Sequence, residues 1–251
     1  IIDRAGIPLI LVGDSLGMVV LGYDSTIPVT MDEMVHHTKA VVRGVAKAMV
    51  IADMPFMTYN INVEETLRNA ARFIQEAGAQ AVKLEGGVTV ADKVRKLVDC
   101  GIPVMGHIGL TPQSVNQLSG YKVQGRSPET AKKLLADARA LEAAGAFAIV
   151  LETMPSELSA FISSKIGIPT IGIGAGVGCD GQVQVISDLL GLFTDFVPKH
   201  AGQYAKLVDI ITDAVIAYAD DVKNGNFPTG QQSFDMDASV IETLRREDET
   251  T

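Results

Sequence analysis

The sequence predicts an α/β fold in which a parallel β-sheet is covered by helices on both faces. Apolar segments alternate with amphipathic ones about every 30 residues, the pattern of repeated strand–helix units. The strand segments are apolar almost throughout, as expected for strands buried on both faces. The length of 251 residues suits a single (β/α)₈ barrel or one doubly wound domain.

The first half of the chain contains four predicted strand–helix units. The strand Leu9–Ser15 is followed by a helix over Met31–Val45, for which Thr30 is the candidate N-cap. Each later unit likewise joins a run of aliphatic residues to apolar residues at helical spacing. These units are Ala48–Phe56 with Val63–Ala77, Ala79–Gly87 with Thr89–Asp99, and Pro103–Leu110 with Pro128–Ala144.

The second half contains three further predicted strands. Phe147–Thr153 and Pro169–Gly176 are joined by a helix over Ser156–Ile166. Phe193–Pro198 is a weaker strand, which the long helix Tyr204–Lys223 follows. No linker or low-complexity segment divides the chain, so we expect a single domain over residues 1–251, with a polar tail from about residue 227.

The sequence predicts seven strands, whereas a closed barrel of this kind has eight. Ile1–Gly6 resembles the last turn of a helix, since a glycine is the usual residue just past a helix end. We therefore expect the first strand of the barrel to be missing from this sequence. An open sheet is the alternative.

Composition excludes several classes of function. The formal net charge of −9 argues against nucleic-acid binding, which needs a basic surface. We expect no membrane span, because no apolar run reaches the roughly 18 residues that one requires. Ile1–Arg4 lacks the layout of a signal peptide. The two cysteines, Cys100 and Cys179, lie far apart in sequence, which favours a reducing cytoplasm over a disulfide framework.

Charged residues close several of the predicted strands. Lys83 and Glu85 point to the same face of their strand, because strand side chains alternate. Asp14 and Asp53 end the first two strands, and with Glu85 they form a set of oxygen donors that suits Mg²⁺ completed by water and a substrate. In a barrel these strand ends meet at one mouth, where the active site lies. For each carboxylate alone, a helix cap is the alternative interpretation.

Further candidates stand at the same ends. Glu152 closes the fifth predicted strand, and His107 lies near the end of the fourth. His107 is either catalytic or a buried histidine with satisfied partners. Ser15 lacks the G-x-S-x-G context of a nucleophile, so we interpret it as a hydrogen-bond donor beside Asp14.

Several segments closely resemble the ketopantoate hydroxymethyltransferase family, in collinear order through nearly the whole chain. Together they are far more specific than any one of them. The segments are G-D-S-L-G-M-V-V-L-G-Y (13–23), V-K-L-E-G-G (82–87), G-H-I-G-L-T-P-Q (106–113), Y-K-V-Q-G-R (121–126), I-G-I-G-A-G (171–176) and C-D-G-Q (179–182).

The resemblance implies a TIM barrel of the phosphoenolpyruvate/pyruvate type. It implies hydroxymethyl transfer from 5,10-methylenetetrahydrofolate to 3-methyl-2-oxobutanoate, giving 2-dehydropantoate for pantothenate biosynthesis. It also implies a Mg²⁺ cofactor and a cytoplasmic homo-oligomer, commonly a decamer, whose partners are small molecules rather than nucleic acid or membrane.

The resemblance also implies roles for individual residues. Asp14, Asp53 and Glu85 match the metal-site carboxylates of the family, and Glu152 matches its proton acceptor. The positions that match its oxo-acid contacts or line the same pocket are Asp14, Ser15, Asp53, Lys83 and His107.

The chain departs from the family pattern in three places. A strand with a T-A-Y-D-like motif has no counterpart, Met57 stands where the family has glycine, and Pro198–Ala201 differs from its P-K-F pattern. Two alternatives remain. One is another Mg²⁺-dependent 2-oxo acid enolate enzyme of the isocitrate lyase or phosphoenolpyruvate mutase type, although a K-K-C-G-H-type motif is absent from the sequence. The other is a non-catalytic barrel that acts as a binding module.

Overall fold

A single parallel sheet of seven strands organises the part of the chain that the structure describes, and the strands lie in the sheet in chain order. The computed structural model describes residues 1–117, 120–193 and 197–250. The sheet curls into a half-barrel. The strands are β1 (Leu9–Val12), β2 (Met49–Asp53), β3 (Ala81–Glu85), β4 (Val104–Gly109), β5 (Ala148–Glu152), β6 (Thr170–Ile173) and β7 (Gly181–Gln182).

Helices cover the sheet and connect its strands. Single 3₁₀ turns lie at Val88–Val90, Pro112–Ser114 and Gly230–Gln232. No helix among the described residues combines the length and the apolar character needed to cross a membrane. The helices are α1 (Leu16–Val19), α2 (Met31–Gly44), α3 (Val63–Gln75), α4 (Ala91–Asp99), α5 (Pro128–Ala143), α6 (Ser156–Ser163), α7 (Ile186–Leu190), α8 (Leu207–Lys223) and α9 (Ala238–Asp248).

Polar caps define where the main helices begin. The hydroxyl of Thr30 accepts a hydrogen bond from the backbone N–H of Glu33, and the Glu33 carboxylate accepts one from the Thr30 N–H. This capping box satisfies two N–H groups that the first turn of α2 would otherwise leave unpaired. Asn62 and Ser127 cap α3 and α5 in the same way, through their side-chain oxygens. The predicted cap at Thr30 is confirmed.

Strand alternation divides the apolar residues into two groups. Val50, Val82 and Ile149 point outward and join the large core beneath the helices. A smaller cluster fills the inner face of the half-barrel, and its fully buried members include Ile51 and Met105. This inner cluster lies toward the starts of the strands, so the side chains nearer their ends line the open mouth.

The structure confirms six of the seven predicted strands. The seventh, Phe193–Pro198, is centred on residues 194–196, which lie outside the described residues, and Phe193, Val197 and Pro198 belong to no strand. The strand beside β6 is instead β7, which has two residues and no apolar run that would have revealed it.

The two ends of the chain also differ in detail from the prediction. Ile1–Gly6 forms a hydrogen-bonded turn rather than a continuous helix, and Gly6 has the positive φ expected at a helix end. The polar tail contains the helix α9, although every described residue from 227 to 250 is exposed, as the prediction of a solvated tail requires.

Candidate active site

The predicted charged residues meet at the carboxyl-terminal end of the inner face. Asp53 pairs with Lys83 in the register of β2 and β3, and Glu85 pairs with His107 in that of β3 and β4. Glu152 ends β5, opposite Gly109 of β4. Because parallel strands point the same way, their ends place these side chains around one mouth.

Lys83 is the centre of the charge cluster. Its Nζ lies 2.9 Å from Asp53 Oδ2 and 3.4 Å from Glu85 Oε1, and all three side chains are at most 5% exposed. Burial acts to lower the pKa of Lys83, but Asp53, Glu85 and Asp14 outweigh it, so the pKa lies above its ordinary value. Lys83 is therefore a fixed, buried cation.

Asp14 and Asp53 form a neighbouring pair of buried acidic residues. The Asp14 backbone N–H donates to Asp53 Oδ2 at 3.2 Å, which brings the first and second strand ends together. Burial raises the pKa of Asp14 well above its ordinary range, and the negative charge of Asp53 adds to the effect. The pKa of Asp53 is also raised, through burial and despite Lys83. Burial thus outweighs the attraction of the Lys83 ammonium at both carboxyls.

At Glu85, unlike Asp14 and Asp53, the neighbouring positive charges outweigh the effect of burial on the pKa. Burial acts to raise its pKa, but the Lys83 ammonium and His107 outweigh that effect, and the pKa lies below its ordinary value. The backbone N–H of Gln113 also donates to Glu85 Oε2 at 3.1 Å. Glu85 therefore remains ionised at the inner wall of the mouth.

The carboxylates offer donors that fit a small, hard cation. Asp53 Oδ1 is buried and has no hydrogen-bond partner, which is costly unless another group compensates it. Among the described His, Cys, Asp and Glu side chains, no three converge closely enough to hold a metal ion by themselves. Mg²⁺ usually binds one or two carboxylates and keeps water and substrate oxygens as its other ligands. The donor set fits such a partly open site.

His107 bridges two acidic side chains. Its Nδ1 lies 3.6 Å from Glu85 Oε1 and its Nε2 lies 3.1 Å from Glu152 Oε2, although neither ring nitrogen makes a well-aligned hydrogen bond. Burial and Lys83 act to lower the pKa of His107, but Glu152 and Glu85 raise it to about 9. His107 therefore carries a proton near neutral pH and forms an ion pair with each carboxylate.

Ser15 lies at the edge of this cluster. It follows Asp14 directly and occupies the N-cap position of α1, but its hydroxyl makes no capping hydrogen bond there. Ser15 is half-buried, whereas Asp14 is buried. The predicted role of Ser15 as a donor stays a prediction.

Two buried residues of the site were not predicted from the sequence. The Gln113 amide donates to Asp14 Oδ2 at 2.8 Å, and the Tyr59 hydroxyl donates to Gln113 Oε1 at 2.6 Å. Gln113 closes the G-H-I-G-L-T-P-Q segment that the resemblance already singled out, which was the available signal. Tyr59 lies in the loop after β2 and carries no comparable signal.

Solved structures of low sequence identity share this fold. One of phosphonopyruvate hydrolase superposes with a TM-score of 0.54 at 14% identity, covering 99% of this chain and 86% of that chain. The curled sheet and this similarity define an α/β protein of the TIM-barrel class.

The sequence comparisons are more specific. The chain belongs to the ketopantoate hydroxymethyltransferase family, whose model matches residues 1–230. A 3-methyl-2-oxobutanoate hydroxymethyltransferase from Dehalococcoides mccartyi is 70% identical over 246 residues, covering 98% of this chain and 88% of the relative. A protein of the same name from Chloroflexus aurantiacus is 60% identical over 252 residues, covering 100% of this chain and 89% of the relative.

Proposed function

We propose that this chain transfers a hydroxymethyl group from 5,10-methylenetetrahydrofolate to 3-methyl-2-oxobutanoate, giving 2-dehydropantoate for pantothenate biosynthesis. The names of its relatives support the acceptor and the transfer. The observation that carries the chemistry is the buried Lys83, held among carboxylates with Glu152 at the same mouth. A fixed cation beside a candidate base suits the removal of a proton next to a carbonyl group.

In this proposal Mg²⁺ is held by the oxygen donors at the mouth. When bound, the ion would supply Lewis-acid polarisation of the keto oxygen of the oxo acid. Asp14 and Asp53 are the first candidates as ligands, because these buried residues lie at adjoining strand ends and Asp53 Oδ1 has no hydrogen-bond partner. Glu85 completes the predicted set. Ser15 is the proposed hydrogen-bond donor to the substrate.

Residues of the chain remove the proton, stabilise the developing charge and position the base. The Glu152 carboxylate accepts the C3 proton, and the electron pair of the broken C–H bond moves toward the keto oxygen. Lys83 stabilises the negative charge that develops there. His107 holds the Glu152 carboxylate through the 3.1 Å contact at its Nε2. C3 then forms a bond to the one-carbon unit of the folate, whose two bonds to folate nitrogens break. One water supplies the hydroxyl group of the product, and its remaining proton together with the proton removed from C3 goes to the two nitrogens, releasing tetrahydrofolate.

We also propose that the protein acts in the cytoplasm as a homo-oligomer, a homodecamer by the family resemblance. Helix α8 supports an assembly, because none of its residues is buried within one chain and large apolar side chains project from it. Exposed apolar area of this kind marks an interaction surface. The side chains are Ile210, Ile211, Val215, Ile216, Tyr218 and Val222.

The proposed reaction is tested directly by mass spectrometry of the product. The chain is incubated with 3-methyl-2-oxobutanoate, 5,10-methylenetetrahydrofolate and Mg²⁺, with parallel samples that lack the folate or contain EDTA. We expect 2-dehydropantoate only in the complete mixture. If none forms in the complete mixture, the proposed function is wrong. A further sample contains phosphonopyruvate and Mg²⁺ in place of these substrates. If phosphonopyruvate is cleaved or rearranged there and no 2-dehydropantoate forms, the alternative of an enzyme of the phosphoenolpyruvate mutase type is correct.

A second prediction concerns the placement of Glu152. Gly109 has a φ of 98°, and a Cβ there would overlap the carbonyl oxygen of Glu152. We expect Gly109→Ala to displace the end of β5 and to lower turnover roughly 100-fold, because small misplacements of a catalytic group are costly. Gly101→Ala is the matched control, since Gly101 has a φ of 85° and no atom within 4 Å of the added Cβ. Equal turnover of the two variants would contradict the prediction.

A further inference from the structure

We propose that Gln113 is a positioning residue that orients the carboxylates of Asp14 and Glu85 for the cation, and that Tyr59 fixes the orientation of Gln113. The inference rests on the proposed function, because it assumes that these carboxylates bind a divalent ion. Gln113 contacts both of them: its Nε2 donates to Asp14 Oδ2 at 2.8 Å, and its backbone N–H donates to Glu85 Oε2 at 3.1 Å.

The partners of Gln113 allow only one orientation of its amide. Nε2 also donates to the carbonyl oxygen of Met54 at 2.9 Å, and a backbone carbonyl can only accept. The Tyr59 hydroxyl accepts a hydrogen bond from the Glu85 backbone N–H at 3.2 Å, so its own proton is free for Gln113 Oε1 at 2.6 Å. In a flipped amide, the NH₂ group would face the Tyr59 hydroxyl proton. The amide oxygen would then face Asp14 Oδ2 and the Met54 carbonyl oxygen, neither of which can donate a hydrogen bond.

This arrangement leaves one oxygen of each carboxylate free of Gln113. Both oxygens of Glu85 contact the protein, because Oε2 accepts from the Gln113 N–H and Oε1 lies 3.4 Å from Lys83 Nζ. Asp14 is held by Oδ2, so its Oδ1 remains for another partner. Asp53 is engaged in the same way, because its Oδ2 accepts from Lys83 and from the Asp14 N–H while Oδ1 has no hydrogen-bond partner. Asp14 and Asp53 thus each turn one oxygen to the protein and keep one available to a cation.

Gln113 also suits this place electrostatically. It is buried against Asp14 and Glu85, where a further negative charge would add to the repulsion that, together with burial, already raises the pKa of Asp14. A neutral amide supplies donors without neutralising the carboxylates, so their charge stays available to a cation. Hydrogen-bond partners of metal ligands typically contribute a factor of about 10 to 100 in metal affinity.

The test measures Mn²⁺ binding rather than turnover. Free Mn²⁺ is followed by electron paramagnetic resonance while it is titrated into the full chain with saturating 3-methyl-2-oxobutanoate. We expect Gln113→Met, which keeps the side-chain volume but removes the amide, to weaken Mn²⁺ binding about 10- to 100-fold. Tyr59→Phe removes only the hydroxyl, so we expect a smaller loss in the same direction, and it serves as the test if Gln113→Met does not fold.

Gln80→Met is the matched control. Gln80 Oε1 accepts a hydrogen bond from the Val50 N–H at 2.7 Å, near the other end of the strands, so its loss should leave Mn²⁺ affinity unchanged. Wild-type affinity in both folded Gln113→Met and Tyr59→Phe would overturn the positioning role, even where their unfolding free energies fall. A wild-type chain that binds no Mn²⁺ would instead overturn the proposed metal site, and the positioning role with it.

Discussion

Replacing Glu152 by glutamine is expected to slow C3 hydrogen–deuterium exchange of 3-methyl-2-oxobutanoate by roughly 10²- to 10⁴-fold. A glutamine amide has nearly the shape of the carboxylate but cannot accept the C3 proton. Glu152 lies at the rim of the cluster, with its side chain 15% exposed, whereas Lys83 and the proposed metal ligands lie deeper. We therefore expect oxo-acid affinity to change little. Proton nuclear magnetic resonance in D₂O measures the exchange, and calorimetry the affinity.

Glu157→Gln is the control for this variant. Glu157 is an exposed carboxylate in the first turn of α6, a few residues beyond Glu152, and it lies outside the charge cluster. We expect wild-type exchange in Glu157→Gln. Unchanged exchange in Glu152→Gln would remove Glu152 from the role of base.

Replacing Lys83 by methionine is expected to reduce the free energy of unfolding by about 3–5 kcal/mol. Methionine fills a similar volume but leaves Asp53 and Glu85 buried without their cation. Removing one partner of a buried ion pair is far more costly than removing both, because the remaining charge is uncompensated. Urea unfolding at a fixed protein concentration measures the loss, since assembly would otherwise change the apparent stability.

Two further variants make this result specific. Lys83→Met combined with Asp53→Asn should recover part of the lost free energy of unfolding, because one of the two uncompensated carboxylates has been removed. Lys93→Met breaks the pair of Lys93 with the exposed Asp92, so it should cost less than about 1 kcal/mol. A Lys83→Met protein as stable as Lys93→Met would contradict the account of Lys83 as a buried, compensated cation.

The sequence was sufficient to predict the inner wall of the site, for a simple geometric reason. Lys83 and Glu85 share a face because strand side chains alternate, and parallel strands gather their ends at one edge. Asp53, His107 and Glu152 therefore lie near them in the structure, at the positions that the strand pattern indicated.

The sequence could not show how the carboxylates are held. Gln113 lies in the short 3₁₀ turn after β4 and Tyr59 in an irregular segment after β2, and no periodic pattern fixes the direction of a side chain there. The short strand β7 was missed for a related reason, since Gly181–Gln182 has neither the length nor the apolar character of a strand and forms only against β6. Contacts that depend on tertiary packing override local propensity at such places.

In the proposed mechanism, the cluster around Lys83 forms a metal-dependent site for removing the C3 proton. Deuterium exchange at C3 of 3-methyl-2-oxobutanoate, with the wild-type chain and no folate present, tests it most directly. We predict that exchange stops in EDTA and resumes when excess Mg²⁺ is added. Exchange at the same rate in EDTA, or no exchange when Mg²⁺ is present, would contradict the account.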